Sequence, residues 1–330
     1  AGAGLMNPVR RFFSRWQNLL GLFLVTIFVV VAITAPWLSP QDPDSPGPIK
    51  QVGRAIDFEP RSPREAPPLG TLSGQISVYH AVIWGARSAV GFGLTVAILT
   101  ALIGTLIGAV SAYFGGFVNS LLMRITDAFL SFPIIAGVVL ISQLITTTLH
   151  EAGLRFFKNV SGQQIFSTAT SSFYLEEELP PFLQMLLNID PVLIAFILFS
   201  WMSYARIMNT VVRRTRNADY VEAARALGAG HNRLIFRHLI PNSITPMIVL
   251  AAKDVGGMVL LQATFTFIGM GGNSPWGMVL VRGRDWIITQ GGIFTYWWVF
   301  VPATLALILF GIGWNLLGDG LNDALNPRTQ

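Results

Sequence analysis

Side chains with the chemistry of common active sites are few in this sequence, and none has the spacing of a known catalytic motif. The 330 residues contain no cysteine, which excludes disulfides, thiolate metal sites and cysteine nucleophiles. The four histidines are too scattered for a zinc motif: His80, His150, His231 and His238. The sequence also has no G-x-x-x-x-G-K-[ST] loop and no nucleophile–base set, so it predicts neither an enzyme nor a nucleotide or cofactor site in this chain.

One polar stretch nevertheless has an ordered series of helix signals. Asp219 is a good N-cap, and Glu222 three residues later completes a pattern like a capping box. Gly228 falls where a chain leaving a helix needs a positive φ. A second helix is predicted from about His231, stopping before Pro241. The stretch therefore predicts two short helices joined by a sharp turn.

The first of these helices needs a partner surface. Its length of about eight residues is too short for stability alone in water. Ala223, Ala224 and Leu227 are small or apolar, and they suit close docking into a groove on another protein. The chemistry that this stretch predicts is therefore contact and coupling rather than catalysis.

The elements that position this stretch must lie in a membrane. Hydrophobic residues make up 52% of the chain and charged residues only 12%, whereas soluble domains carry about 25% charged residues. The mean hydropathy is +0.56, which excludes a soluble globular chain and a disordered one. An all-α polytopic membrane protein is the predicted fold class.

Uncharged runs of about 20 residues predict six transmembrane helices. The six lie at Leu19–Leu38, within Ser88–Met123, at Ala128–Leu149, at about 191–210, from Ser243 to about Met270, and from Trp297 to about Leu317. The first run could instead be the apolar part of a signal peptide, because three arginines precede it. Its length and the absence of an A-x-A site favour a retained helix.

The distribution of Lys and Arg predicts the orientation. With both termini inside, the cytoplasmic segments are 1–18, about 114–127, 206–242 and 318–330. They hold 12 basic and five acidic residues, and the outside segments hold nine basic and 11 acidic ones. By the positive-inside rule this asymmetry predicts an N-in, C-in arrangement. It also accounts for the net charge of +5 and for the pI of about 9.9, so no nucleic-acid partner is predicted.

The predicted organisation follows from these spans. Its segments are an N-terminal cytoplasmic segment 1–18, a first transmembrane helix 19–38, a Pro-rich external loop 39–87, a core domain 88–318 with an external insert 150–190 and a cytoplasmic loop 211–242, and a C-terminal cytoplasmic tail 319–330. The aromatic and acidic insert is expected to form either a cap over the outer mouth or a passive insertion.

The polar stretch also carries a family resemblance. Glu222-Ala223-Ala224, three residues, Gly228, nine residues, and a tetrapeptide ending in Pro241 resemble the coupling-loop signature of membrane subunits of ATP-binding-cassette importers. Further stretches resemble the C-type permease subunit of the dipeptide, oligopeptide and nickel branch. They include Ala35-Pro36, Gly85-Ala86-Arg87-Ser88, Tyr113-Phe114-Gly115-Gly116, Phe132-Pro133, Tyr204-Ala205-Arg206, Phe267-Ile268-Gly269 and Pro275-Trp276-Gly277.

The resemblance implies a type I importer permease core and a division of labour. A homologous permease subunit would form the other half of the pore, two ATPase subunits would bind ATP and Mg²⁺, and an extracytoplasmic binding protein would deliver the cargo. The ATPase-coupling residues would be Asp219, Glu222, Ala223, Ala224, Leu227, Gly228, His231 and Pro241. Localisation would be the bacterial inner membrane. Peptides are the expected cargo, with nickel complexes or another small solute as the alternative. A secondary transporter working without ATPases is a more distant alternative.

Three residues of the predicted fifth span depart from the family pattern. Lys253 and Asp254 stand where the family is usually neutral, and Gln262 stands where an acidic residue is common. Charges inside a membrane are costly and usually face a bundle interior or a wet path. All three are therefore candidates for the translocation path, and Lys253 and Asp254 should each have a separate partner because adjacent helical residues point apart.

Other features carry simpler interpretations. Trp276 is expected in an interfacial aromatic belt. Gly104 and Gly108 form a G-x-x-x-G that is expected to pack helices. Asp319 and Asp323 are expected to cap or tether the end of the sixth helix. The arginines of the cytoplasmic loop fit either anionic lipid headgroups or the ATPase surface: Arg213, Arg214 and Arg216.

Overall fold

The computed structural model describes residues 8–43, 47–161, 190–287 and 294–325, and of residues 149–161 the backbone alone. In chain order the α-helices are α1 (Pro8–Phe13), α2 (Trp16–Leu38), α3 (Val78–Phe114), α4 (Gly116–Ser131), α5 (Ile134–Ser161), α6 (Pro191–Thr215), α7 (Asp219–Ala226), α8 (His231–Arg233), α9 (Ile240–Ser243), α10 (Thr245–Ile268), α11 (Pro275–Gly283) and α12 (Val301–Leu325). A π-helical segment, Leu234–Leu239, joins α8 to α9, and 3₁₀ turns lie at Arg284–Trp286 and Trp297–Val299.

A short antiparallel hairpin of β1 (Thr71–Leu72) and β2 (Ile76–Ser77) precedes α3. We call the end of the bundle that carries this hairpin the hairpin end, and the opposite end the α7 end. Helices α2, α3, α6, α10 and α12 run between these two ends. The main packing partners are α3 with α6, α10 with α12, and α12 with α2.

The described part of the chain confirms an all-α membrane architecture. Five helices are long and apolar enough to cross a bilayer, and α4 with part of α5 forms a sixth span if the bent pair counts as one. Large apolar side chains stay exposed along these helices, where lipid would cover them: Phe23, Val30, Ile33, Leu102, Leu140 and Leu144.

The predicted third span, Ala128–Leu149, is wrong as a continuous helix. The chain breaks at Phe132-Pro133, and the axes of α4 and α5 meet at 93°. The residue before a proline is pushed out of the helical region, and Phe132 has the extended values φ −83° and ψ 133°. The proline thus forces the bend that a hydropathy run does not reveal.

Two other helix starts lie earlier than predicted. Helix α2 begins at Trp16, three residues before Leu19. Helix α3 begins at Val78, before the uncharged run Ser88–Met123 within which the second span was predicted, and the hydroxyl of Ser77 caps it by accepting a hydrogen bond from the His80 amide at 3.3 Å. Most of the predicted insert 150–190 lies outside the described residues, and the described part continues α5 as far as Ser161.

The core is a cluster of aromatic rings between α2, α11 and α12. Trp276 is 1% exposed, and its indole nitrogen donates to the Val82 carbonyl at 3.0 Å. Its ring lies 5.8 Å from that of Phe28 and 5.7 Å from that of Phe310. The expected place of Trp276 in an interfacial belt is therefore wrong, because α11 folds back into the bundle and buries it.

The G-x-x-x-G stripe packs helices as expected. A Cβ on Gly108 would lie 2.8 Å from the Met208 Cβ and 3.0 Å from the Asn209 amide nitrogen, both on α6. Gly104 faces Tyr204 of the same helix. Small residues at these two positions let the backbones of α3 and α6 approach closely.

Candidate functional site

Helix α7 is the centre of the 211–242 loop, and its start differs from the prediction. The N-cap is Ala218, with φ −74° and ψ 148°, and no side chain caps the helix. Asp219 is the first helical residue, so the predicted capping box of Asp219 and Glu222 is wrong. Both carboxylates still lie in the first turn, where negative charge is favoured by the helix dipole.

The turn after α7 confirms the role predicted for Gly228. Its φ is +80°, and a Cβ built there would meet nothing within 4 Å. The amide of Gly228 donates to the Arg225 carbonyl and the amide of Ala229 to the Ala224 carbonyl, each at 3.0 Å. Backbone conformation alone, and no shortage of space, makes a side chain unfavourable here.

A single side chain anchors α7 to the rest of the chain. Val221 is fully buried in a cluster with Leu234, Ile235 and Leu239 of the π-helical segment and with Val212 of α6. The sequence interpretation missed Val221. The available signal was that it is the one β-branched apolar residue of the helix.

Some of the remaining side chains of this region pack against the cluster around Val221, and the others are exposed. Ala224 is half-buried against the cluster around Val221. Ala223 and Glu222 are exposed, and Leu227 is 89% exposed. Phe236 is also exposed, at 56%. Ala223 and Leu227 are therefore available to another surface, whereas Ala224 already serves the fold of this chain.

The 211–242 loop is tied to the end of α3. The Tyr113 hydroxyl and Nδ1 of His231 are hydrogen-bonded at 2.7 Å. The Arg216 guanidinium donates to the Ala112 carbonyl at 3.0 Å, whereas Arg213 and Arg214 are exposed.

The prediction that the second helix of the loop ends before Pro241 is wrong. The chain continues through the π-helical segment into α9, and Pro241 lies in the first turn of α9. The Ile240 amide still donates to the Ile235 carbonyl, whereas Pro241 has no amide hydrogen to continue these bonds.

The two adjacent charges of α10 point to different places, as the sequence predicts. Nζ of Lys253 forms an ion pair at 2.6 Å with Asp319, in the last two turns of α12. The Tyr204 hydroxyl donates to Asp254 at 2.7 Å. Asp319 thus tethers helices. Asp323 does the same through an ion pair with Arg15 at 2.8 Å.

Asp254, one of the three pathway candidates, lines a cavity. That cavity has a volume of about 500 Å³ and lies at the bend between α4 and α5, faced by α6 and α10. Lys253 is not among its lining residues, and neither is Gln262.

Gln262 lies instead at the hairpin end, where it is 3% exposed. Its side chain is hydrogen-bonded to Asp190, whose carboxylate also accepts from the Val192 amide at 2.9 Å and caps α6. Burial raises the pKa of the Asp190 carboxyl above its ordinary value, and the hydrogen bonds oppose that shift only partly. Within the described residues no group of three His, Cys, Asp or Glu side chains could hold a metal ion.

These features define a class of protein: a polytopic membrane protein with a short helix, anchored by Val221, that presents apolar surface at one end of its bundle. Comparison with known families agrees. Residues 101–330 match the family of binding-protein-dependent transport system inner membrane components, and the chain belongs to that family. Residues 9–68 match the N-terminal transmembrane domain of oligopeptide transport permease C. The chain is thus a permease component of importers of the ATP-binding-cassette type.

Curated relatives cover nearly the whole chain. The D,D-dipeptide transport system permease protein DdpC of Escherichia coli (strain K12) is 29% identical over 93% of this chain and 86% of its own length. The dipeptide transport system permease protein DppC of Alkalihalophilus pseudofirmus is 26% identical over 98% of this chain and 91% of its own. The nickel transport system permease protein NikC of Escherichia coli (strain K12) is 28% identical over 96% of this chain and 95% of its own.

Proposed function

We propose that this chain forms half of the translocation pore of an ATP-driven importer and transmits the movements of separate ATPase subunits to that pore. The observation that supports this most directly is α7, which is held by one buried side chain and leaves Leu227 89% exposed. An apolar residue so exposed at the end of a membrane bundle is suited to a groove on a soluble partner. In this proposal ATP and Mg²⁺ bind to the two ATPase subunits, and this chain binds no cofactor.

The α7 end is proposed to be cytoplasmic, with both termini on that side. Seven arginines between residues 206 and 242 support this orientation. The hairpin end would then face outward and receive the substrate-loaded binding protein. Localisation to the bacterial inner membrane follows from the same proposal, and exposed Arg213 and Arg214 would contact either lipid headgroups or the ATPase.

Di- or oligopeptides are the proposed cargo, because relatives such as DdpC and DppC are named as dipeptide permeases. A homologous permease subunit would complete the pore. The similarity to NikC over 96% of this chain favours a nickel complex as the second candidate.

Purification of the tagged chain from native membranes, followed by reconstitution, tests the proposal. ATPase subunits should co-elute with the chain. In liposomes the complex with its binding protein should take up labelled dipeptides only when ATP is present. Nickel uptake in place of peptide uptake would favour the second candidate. Uptake that persists without ATPase subunits would overturn the ATP-driven mechanism. Mass spectrometry of the solute retained by the binding protein identifies the cargo.

A further inference from the structure

The cavity at the bend of α4 and α5 is open on one side, and its lining is mainly apolar with a few polar groups. Three aromatic rings line it, from Phe129, Phe132 and Phe199. The Phe129 and Phe199 rings lie 5.7 Å apart, and those of Phe132 and Phe199 lie 6.1 Å apart. Apart from aliphatic side chains, the wall carries the serine hydroxyls of Ser131, Ser200 and Ser203 and one ionisable group, Asp254.

Asp254 has one neutral partner in the described part of the chain. The Tyr204 hydroxyl donates to one carboxylate oxygen at 2.7 Å, and no ion pair to Asp254 is formed there. Two basic groups close to this pair of residues are already used: Lys253, next to Asp254 in sequence, pairs with Asp319 at 2.6 Å, and Arg206, two residues from Tyr204, pairs with Asp127. A carboxylate in this setting therefore retains attraction for a cation that enters the cavity.

The chemistry of the walls selects the kind of cation. Aromatic faces attract ammonium groups through the ring quadrupole, and they do so more strongly when water is excluded. A divalent metal ion prefers several carboxylate or imidazole ligands, and this wall offers a single carboxylate beside three neutral serine hydroxyls. One carboxylate among aromatic rings suits an organic ammonium group.

We propose that Asp254, held by Tyr204, and the rings of Phe129, Phe132 and Phe199 form a transient binding site for a primary ammonium group of the transported solute. The inference deepens the proposed function and rests on it, since it assigns the cargo a positively charged amine. Asp254 contacts the ammonium directly, and Tyr204 is a positioning residue. Tyr204 is fully buried between α3 and α6, so its hydroxyl has little freedom to turn away.

The lack of cysteine in this chain permits a test that does not depend on the identity of the cargo. Ser203 is exposed and lines the cavity, so Ser203→Cys places one thiol beside Asp254. The intact transporter complex in nanodiscs is treated with a trimethylammonium methanethiosulfonate and with a sulfonate analogue. Both reaction rates are divided by those of a free small thiol.

We expect the cationic reagent to react at least about tenfold faster after this normalisation, since a charged cleft concentrates counter-ions. Asp254→Asn should bring the ratio to within about twofold of the free thiol, and Asp254→Glu should restore it. The matched control is Asp323→Asn, which removes a carboxylate that is paired with Arg15 and lies outside the cavity. Its ratio should equal that of Ser203→Cys alone.

A second measurement uses an actual amine. In the Ser203→Cys complex, n-butylammonium should slow the reaction of the introduced thiol with neutral methyl methanethiosulfonate at least about threefold, and 1-butanol should not. Asp254→Asn should abolish this protection. A Ser203→Cys complex without cation preference would overturn the proposal even before Asp254 is changed, because Asp254 would then offer no negative charge to a cation in the cavity. Absence of peptide uptake by the unmodified complex would refute the proposed cargo while leaving the thiol ratios interpretable.

Discussion

The loops at the two ends of the bundle differ in how their backbone groups are hydrogen-bonded. At the hairpin end, Gln75 is 1% exposed, and its side-chain amide donates to the carbonyls of Asp57 and Glu59 at 3.2 Å and 3.0 Å. The Trp298 indole donates to the Thr71 carbonyl at 3.3 Å, and the Trp286 indole to the Ser73 hydroxyl at 2.5 Å. Buried Gln75 and Trp298 therefore satisfy three carbonyls of the loop backbone, and the Trp286 bond joins two side chains.

At the α7 end the loop backbone is helical, and some large apolar side chains remain exposed. Val221 is the buried anchor of α7, while Leu227 and Phe236 are 89% and 56% exposed. Leaving such groups in water forgoes their burial energy, about 1.5–3 kcal/mol for each side chain if it is buried fully.

The difference lies in how the loop backbone is held and not in exposed apolar surface, because the hairpin end also leaves Ile56, Phe58 and Phe294 exposed at 72%, 72% and 73%. The hairpin end holds its shape through internal hydrogen bonds, so changes there should alter stability. The α7 end leaves apolar side chains exposed, so changes there should alter association with a partner. Three substitutions test this division.

The largest effect is expected from Gly228→Val. A β-branched residue is a conformational outlier at φ +80°, so the turn after α7 should reorganise and α7 should be redirected. We expect at least about a tenfold loss of co-purifying ATPase subunits, measured by quantitative size-exclusion chromatography.

Gly230→Val is the matched control for this change. A Cβ at Gly230 also meets nothing within 4 Å, but its φ of −69° suits any residue. Normal assembly of both variants, with wild-type transport, would contradict the role of this turn in docking.

An intermediate effect is expected from Gln75→Leu at the hairpin end. The change leaves the carbonyls of Asp57 and Glu59 without their side-chain donor, at a cost of about 2 kcal/mol or more. The midpoint of thermal unfolding of the purified complex should fall by several degrees, while the amount of bound ATPase stays unchanged. Loss of ATPase at an unaltered unfolding temperature would contradict the claim that changes at the hairpin end affect stability and not ATPase binding.

The smallest effect is expected from Glu222→Gln. Glu222 does not cap α7 and interacts only with the helix dipole, so the unfolding temperature should change by little. If the exposed carboxylate contacts a basic group of the ATPase, transport should fall about threefold, in line with the modest energy of surface ion pairs. Expression level and ATP-dependent uptake are the two readouts. Unchanged uptake would mean that Glu222 interacts only with the dipole of its own helix and does not contact the ATPase.

Sequence reasoning works where a property is local. A positive φ at Gly228 and the separate partners of Lys253 and Asp254 follow from turn chemistry and helix geometry, and the structure confirms them. The bend at Pro133 was also a local signal, but the uncharged run around it concealed the break.

Sequence reasoning fails for the positions that side chains and helices take in the tertiary structure. Nothing in the sequence around Trp276 shows that α11 returns to the core, and nothing near Val221 shows that the π-helical segment receives its side chain. The N-cap of α7 falls on Ala218 because the path of the backbone out of α6 decides it, against the capping preference of Asp219. The cavity beside Asp254 needs four helices in place, and no single segment contains that information.

Helix α3 connects the two ends physically. Its 37 residues extend for about 55 Å, against a hydrocarbon thickness of about 30 Å. It starts directly after β2, and at its other end Ala112 and Tyr113 hold the 211–242 loop through Arg216 and His231. If this helix moves as one body it works as a lever: a tilt of a few degrees about its middle moves both tips by more than an ångström in opposite directions. Under the proposed orientation, docking at the hairpin end and ATPase binding at the α7 end are therefore mechanically linked through one element, without any sequential relay of side chains.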